Sequence, residues 1–377
     1  MIKRVDTTHL FKSTLTNQQN ENSLKNIEEG NQGVQEMSSY PRRIVVELTN
    51  RCNLNCIMCG RTGRHFEKFN FDREWFKVLE PAFVHTEEIV LHGWGEPLVY
   101  KGFSDLLEYL DQFPMRKYFC TNGMLLKNFK EDIFKYHVDI LAISMDGAKK
   151  ATNDRIRAGG NQKLILDNVR EIVQYKKEHN LDYPHMNFVF TAMTDNIDEL
   201  PDMIDLAASI GIPEVKVVYL TAFDEDMAKL SLYNKQELVK KNFLLAEKKA
   251  NEKGIQLKMP YMQGVDPAGT ALHRQCFFPF RDLFIGSDGF VRPCMSITER
   301  MFSLDSVQTF NEAWNHDKMR DLRKNMTEEC NKCYHSSCAN WNNKESFIQI
   351  DELLLPDWND EASFIPNVEV LVPEWEN

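Results

Sequence analysis

The chain has 377 residues, 42 % of them hydrophobic and 27 % charged, which excludes a wholly disordered or fibrous protein and suits one large domain with an appendage. Lys and Arg number 45 against 56 Asp and Glu, a net charge of −11, so no global positive field draws in a polyanion and nucleic acid is not expected as a partner. Segment 346–377 holds eight carboxylates and neither Lys nor Arg, which leaves the rest of the chain near neutral.

Residues 1–40 are rich in Asn, Gln and Glu and lack the continuous apolar core of a signal peptide. They read as a flexible, solvated polar arm. No stretch reaches the ~18 uncharged apolar residues that a membrane span needs. The expected address is the cytoplasm, where thiols stay reduced and clustered cysteines bind metal more often than they pair.

From Pro41 onward, short apolar runs at 44–48, 89–92, 117–121, 140–144, 186–191 and 215–220 alternate with helical patterns at 103–112, 163–177, 197–210 and 235–253. Val, Ile, Phe and Tyr in the runs predict buried strands. In 163–177, Leu164, Ile165, Val169, Ile172 and Val173 share one helical face. Strand–helix repeats in order predict parallel strands joined by right-handed crossovers. Six such units in about 210 residues fall short of the ~250 of an eight-unit barrel, so the fold class is α/β, a partial (β/α)6 barrel over 41–258.

After Lys258 the rhythm breaks. Residues 259–274 are loop-like, 282–285 and 290–292 read as strands around a Gly286-Ser287-Asp288-Gly289 turn, and 309–325 reads as helical. A second, small α+β cysteine-rich domain is expected over 259–345, followed by the acidic tail 346–377. That tail reads as solvated, with Trp358, Trp375 and short apolar segments able to pack on the core or meet a basic partner.

Nine cysteines fall into two groups and one singleton. Cys120 sits inside a strand pattern and reads as a small buried hydrophobe. Cys52, Cys56 and Cys59 form a C-x3-C-x2-C loop directly after the first strand, where barrels and open α/β sheets place active sites. Structural zinc takes four ligands, and no fourth Cys or well-spaced His is local, His65 being six residues on. Three thiolates on an iron–sulfur cube leave one iron open, as catalysis requires. Cys276, Cys294, Cys330, Cys333 and Cys338 make up the second group; for these a zinc ribbon is the competing reading.

The first cysteine loop resembles the signature of the radical S-adenosylmethionine (radical SAM) superfamily. Gly93-Trp94-Gly95-Glu96-Pro97 is similar to its GGE motif, Thr121-Asn122-Gly123 to its TNG turn, and Ser144-Met145-Asp146-Gly147 with Arg155-Ile156-Arg157 to its SxDG…IR segment. Each of these follows an expected strand, and together they extend the resemblance over 41–258. It implies a [4Fe-4S] cluster on Cys52, Cys56 and Cys59, with SAM completing the fourth iron. It further implies SAM contacts from Trp94, Gly95, Glu96, Asn122, Ser144, Asp146 and Arg157, the last preferred over Arg155. Met58 stands where the family often has an aromatic residue. A flavodoxin- or ferredoxin-type electron donor follows from the same resemblance.

Cys276-x12-Gly289-x4-Cys294 resembles the opening of the SPASM signature, and the spacing of Cys330, Cys333 and Cys338 is closer to its shortened twitch form. This implies one auxiliary [4Fe-4S] cluster on Cys276, Cys294, Cys330 and Cys333, with Cys338 as the alternate ligand. The implied activity is reductive cleavage of SAM to a 5′-deoxyadenosyl radical that abstracts a substrate hydrogen, with oxidation, epimerisation or crosslinking as the outcome. A peptide and a sugar- or aminocyclitol-like small molecule are nearly even as substrates. Sulfatase maturation is disfavoured, since Met295 stands where those enzymes carry Asp. A non-catalytic iron–sulfur or zinc scaffold is the alternative. Candidates for proton transfer or substrate contact are His92, Tyr219, Asp224 and Arg281, and His335 is a further metal candidate.

Overall fold

The computed structural model describes residues 15–62, 67–222, 225–232, 235–260, 278–294 and 299–325. Ten strands form one sheet in the order β10-β9-β8-β1-β2-β3-β4-β5-β6-β7. They are β1 (Arg43–Val46), β2 (Glu88–Val90), β3 (Arg116–Thr121), β4 (Ile140–Ser144), β5 (His185–Ala192), β6 (Glu214–Tyr219), β7 (Gln256–Lys258), β8 (Asp282–Ile285), β9 (Phe290–Arg292) and β10 (Phe302–Ser303). From β1 to β7 every neighbour pairs in parallel, with helices between strands, so the sheet is the expected partial barrel.

The alternation of side chains across each strand decides what faces outward and what faces the lumen. On β6, Val215 and Val217 are fully buried, while Lys216 and Val218 line the lumen. Outer positions lie under helices such as Gln162–His179, where Asn161 caps the start, Asn180 closes the end in the left-handed region, and Ile165, Val169 and Ile172 are buried. Deep in the lumen the residues are ionic. Arg43 pairs with Asp282 at 2.6 Å, and Glu214 meets both His185 and Lys258 at 3.2 Å. Buried charges of this kind persist because they are mutually paired.

The sheet continues past the boundary expected at Lys258. β8 pairs in parallel with the free edge of β1, from Arg43↔Asp282 to Val46↔Ile285, and β9 and β10 follow antiparallel. The hairpin that leads to Cys294 is therefore an extension of the barrel sheet. Expected helix 309–325 is split by Asn315 into Phe310–Trp314 and Asp317–Lys324.

The N-terminal expectation needs correction where residues are described. Asn17–Gln32 is an α-helix, α1, opened by a Thr16/Gln19 capping box and closed by Gly33 at φ 66°. Its buried positions 19, 22, 23, 26, 27 and 30 have helical spacing, but five of the six are Gln, Asn, Ser or Gly. Hydrogen bonds replace an apolar stripe. Gln19 Nε2 donates to Thr86 O at 2.7 Å, Asn22 Nδ2 to His85 O at 3.2 Å, Ser23 Oγ to Glu87 at 2.6 Å and Asn26 Nδ2 to Phe280 O at 2.7 Å. A search for apolar periodicity misses a helix that docks through amides.

Candidate active site

The cysteine loop leaves the C-terminal end of β1 and is held by backbone from two neighbouring segments. Asn55 N donates to Ala158 O and Ile57 N to Ile156 O, each at 2.9 Å, and Glu96 N donates to Arg51 O at 2.9 Å. Within the loop, Cys59 N and Thr62 Oγ1 both donate to Cys56 O, at 3.1 and 2.7 Å. Close approach explains Gly95: a Cβ there would stand 2.1 Å from Thr49 O and 2.6 Å from Arg51 O. Backbone on both sides leaves no way to yield. Gly95→Ala is thus expected to cost about 3 kcal/mol, the range of severe overpacking, and to displace the loop. Urea unfolding together with iron content after reconstitution measures both effects, and a variant that keeps both at wild-type values contradicts the packing argument.

Cys52, Cys56, Cys59, Trp94, Gly95, Glu96, Asn122, Ser144 and Arg157 all line one cavity of about 460 Å³ at the barrel mouth. Asp146 lies behind that wall, fully buried, and forms an ion pair with Arg157 Nε at 2.7 Å. Arg157 Nη1 in turn stands 4.0 Å from Cys56 Sγ. Arg155 points elsewhere and pairs with Asp195 on the surface at 2.6 Å. Asn122 Nδ2 donates to Asn53 Oδ1 at 2.7 Å and lies 3.9 Å from Cys52 Sγ. Ser144 Oγ is 3.2 Å from Cys120 Sγ.

Glu96 lines the cavity, yet its carboxylate is occupied within the protein. Thr121 Oγ1 and Leu98 N donate to one oxygen at 2.6 and 3.2 Å, and Asn122 N donates to the other at 2.7 Å. Burial pushes this carboxyl up to about 7, while those donors and Arg157 pull toward the anion. The side chain thereby ties the ends of β2 and β3 together. The Cys56 thiol is pushed up to about 11, by burial first, with Arg157 opposing and Cys52 and Cys59 adding to the rise. Without a metal this sulfur stays protonated, whereas coordination holds it as thiolate.

His92 lies in the same wall. Its Nδ1 accepts the Cys120 N–H at 3.1 Å, which puts the imidazole proton on Nε2, and its ring packs edge-on to Tyr118. Burial, aided by the Lys216 and Arg43 cations, holds its pKa down to about 3. The unfolded chain takes up a proton near the ordinary 6.5, which the folded imidazole refuses. This group's stability is present above 6.5 and is lost as pH falls from there toward 3. The drop in urea midpoint between about pH 7 and about pH 4.5 is therefore expected to be smaller in His92→Gln than in the wild type. Equal drops would count against a neutral His92.

Among the other candidates, Tyr219 lines the cavity, while Arg281 lies in the barrel floor against Asp282 at 2.6 Å. Burial and the nearby Arg43 push Arg281 down to about 10. His65, Asp224, His335, Cys276, Cys330, Cys333 and Cys338 lie outside the described residues. Cys294 is buried and lines a second cavity, of about 250 Å³, between the end of β1 and the β8–β9 hairpin. Sequence reading missed Lys216 and Glu47, although a lone Lys between Val215 and Val217 was a visible signal of a lumen-facing position.

The three thiols line one cavity without being arranged as a single-ion site. Among the described residues, no group of three His, Cys, Asp or Glu side chains stands close enough to hold one metal ion. Ligands of a cubane bind different irons at separate corners, so their sulfurs stand farther apart while still lining one cavity.

The radical SAM superfamily model matches residues 46–207, and that of the iron-sulfur cluster-binding domain SPASM matches 276–334. The tungsten-containing aldehyde ferredoxin oxidoreductase cofactor-modifying protein of Pyrococcus furiosus is 25 % identical over 264 residues, 67 % of this chain and 70 % of that protein. The AdoMet-dependent heme synthase of Methanosarcina barkeri is 24 % identical over 333 residues, 80 % of this chain and 91 % of that protein. Among solved structures, Streptococcus suis SuiB superposes with a TM-score of 0.61 at 13 % identity, covering 81 % of this chain and 72 % of SuiB. Native anSMEcpe with bound AdoMet gives 0.55 at 14 %, covering 85 % and 96 %.

Fold, cysteine loop and sequence matches together define an enzyme of the radical SAM superfamily. Within it, the chain belongs with the members that carry a C-terminal SPASM iron–sulfur domain. Its cofactors are accordingly a SAM-binding [4Fe-4S] cluster, SAM, and auxiliary iron–sulfur. No helix among the described residues is long and apolar enough to cross a membrane.

Proposed function

We propose that this enzyme modifies a small, cofactor-like molecule at an unactivated C–H bond, with Cys52, Cys56 and Cys59 holding the SAM-site cluster. The observation that carries the proposal is the convergence of these three thiols, Ser144 and Arg157 on one cavity at the strand C-termini. Cluster and SAM, when bound, supply a one-electron reduction that releases methionine and a 5′-deoxyadenosyl radical able to take a substrate hydrogen. The chain's own contribution is placement. Arg157, oriented by Asp146, offers a cation to SAM, Ser144 a hydroxyl, and Asn122 fixes the loop around Cys52. Leu54, Met58, Val189, Val218 and Leu220 give the cavity apolar walls that exclude water.

Cys294, joined by cysteines from 276–338, holds one auxiliary cluster in this reading, and a flavodoxin- or ferredoxin-type protein delivers the electron. Small-molecule substrates are favoured by sequence relatives named for heme synthesis and cofactor modification. A peptide substrate is the second reading, favoured by the solved SuiB complex with its precursor peptide SuiA. Anaerobically reconstituted enzyme with SAM and dithionite should form 5′-deoxyadenosine, and cell extract should stimulate it. Stimulation that survives protease treatment of the extract supports the small molecule, and stimulation abolished by protease supports the peptide. Absence of 5′-deoxyadenosine above a Cys56→Ala control refutes both.

A further inference from the structure

Glu47 stands where three functional segments meet. It ends the first strand's run into the cysteine loop, five positions before Cys52. Its backbone N–H donates to Ile285 O at 2.9 Å, continuing the β1–β8 pairing. Its side chain, 8 % exposed, accepts from both neighbours. Oε1 takes the Trp94 N–H at 2.7 Å, and Oε2 takes Ser287 N–H at 3.1 Å and Ser287 Oγ–H at 2.8 Å. Gly93 rests on the carboxylate's stem, since a Cβ at that position would lie 2.7 Å from both Cβ and Cγ of Glu47.

Trp94 belongs to the loop that lines the SAM-side cavity, and Ser287 lies in the turn of the β8–β9 hairpin that leads to Cys294. The two cavities share His92, Gly93 and Trp94 as a common wall. Glu47 holds that wall to the hairpin, with each carboxylate oxygen assigned to a different side. Hydrogen bonds to an ionised acceptor are about twice as strong as neutral ones, so this contact resists separate movement of the two loops.

We propose that Glu47 is a positioning residue that couples the SAM-side loop at Trp94 to the auxiliary-site hairpin at Ser287–Cys294, so that a change at one site alters binding at the other. This rests on the reading of two cofactor sites given above. Coupling of this kind is reciprocal and is measured as non-additivity. Glu47→Gln isolates it, because an amide has a single acceptor oxygen and satisfies only one of the two loops.

Two measurements test the proposal. In the first, SAM affinity is read from the SAM-induced change in the electron paramagnetic resonance spectrum of the reduced SAM-site cluster. Cys294→Ala should weaken SAM binding about tenfold in the wild type, the worth of one charge-assisted hydrogen bond, and have no further effect in Glu47→Gln. In the second, amide hydrogen exchange of the protein without cofactors is followed at 93–96. Ser287→Ala, which touches nothing on the SAM side, should speed exchange there. Equal effects of Cys294→Ala in both backgrounds, or unchanged exchange at 93–96, overturn the proposal. Should the wild type show no SAM-dependent spectrum at all, the radical SAM reading fails, and the exchange measurement still decides the coupling.

Discussion

Cys56→Ala should abolish 5′-deoxyadenosine formation, while Cys120→Ala should leave the SAM-site iron in place. Both cysteines line the same cavity, so proximity does not distinguish them. Their surroundings do. Cys56 sits in a loop whose backbone is fixed by Ile156, Cys59 and Thr62, and it interacts electrostatically with Cys52, Cys59 and Arg157. Cys120 projects from β3 into the lumen, with its Sγ at 3.2 Å from Ser144 Oγ and its N–H on His92. Only the loop thiols can surround a cube from one side and leave its fourth corner toward the cavity. Removing one of three ligands leaves two irons uncoordinated by protein, which no small adjustment of a backbone-pinned loop repairs. Iron and sulfide analysis after reconstitution should therefore show the loss of one cluster in Cys56→Ala and none in Cys120→Ala. If Cys56→Ala keeps its full iron and makes 5′-deoxyadenosine, the ligand set is wrong.

The barrel was legible because its strands carry their own label. The runs at 140–144 and 215–220 match β4 and match β6 to within a residue at each end, since buried parallel strands must be nearly continuous in apolar residues. The cysteine loop was legible for a different reason: ligand spacing is local, and a loop with three thiols in eight residues has few alternative uses. What escaped notice depends on contacts distant in sequence. Asn26 reaches Phe280 O, 254 residues away, and no local pattern announces such a bond. Glu47 lies inside the expected strand run 44–48 and drew no reading of its own, because its meaning lies in Trp94 and Ser287. Glu96 has a use that the motif does not announce: besides lining the cavity, its oxygens accept from Thr121, Asn122 and Leu98.

Arg157 and Arg155 offer the other large effect, since the two stand two residues apart at the end of helix Lys150–Ile156, Arg155 within it and Arg157 as its cap, and face opposite environments. Arg155 is half exposed and its pair with Asp195 is a surface ion pair, worth about 0–1 kcal/mol. Arg155→Met should leave SAM affinity within about twofold and stability nearly unchanged. Arg157 is buried between Asp146 and Cys56. Arg157→Met strands the Asp146 carboxylate without its partner, at an expected cost of about 3–5 kcal/mol. Low stability alone would then reduce SAM binding, so a second variant separates the causes. Asp146→Asn combined with Arg157→Met removes both charges, and an Asn oxygen still accepts the Thr191 N–H that Asp146 Oδ1 now takes at 2.7 Å. The double variant should regain most of the stability, because replacing a buried pair with neutral groups is often close to neutral. SAM binding should nevertheless stay at least about a hundredfold weak, the loss of a desolvated cation from the carboxylate of SAM. Recovery of SAM affinity along with stability would assign Arg157 to holding the barrel mouth together, and would leave Lys216 as the lumen cation facing SAM.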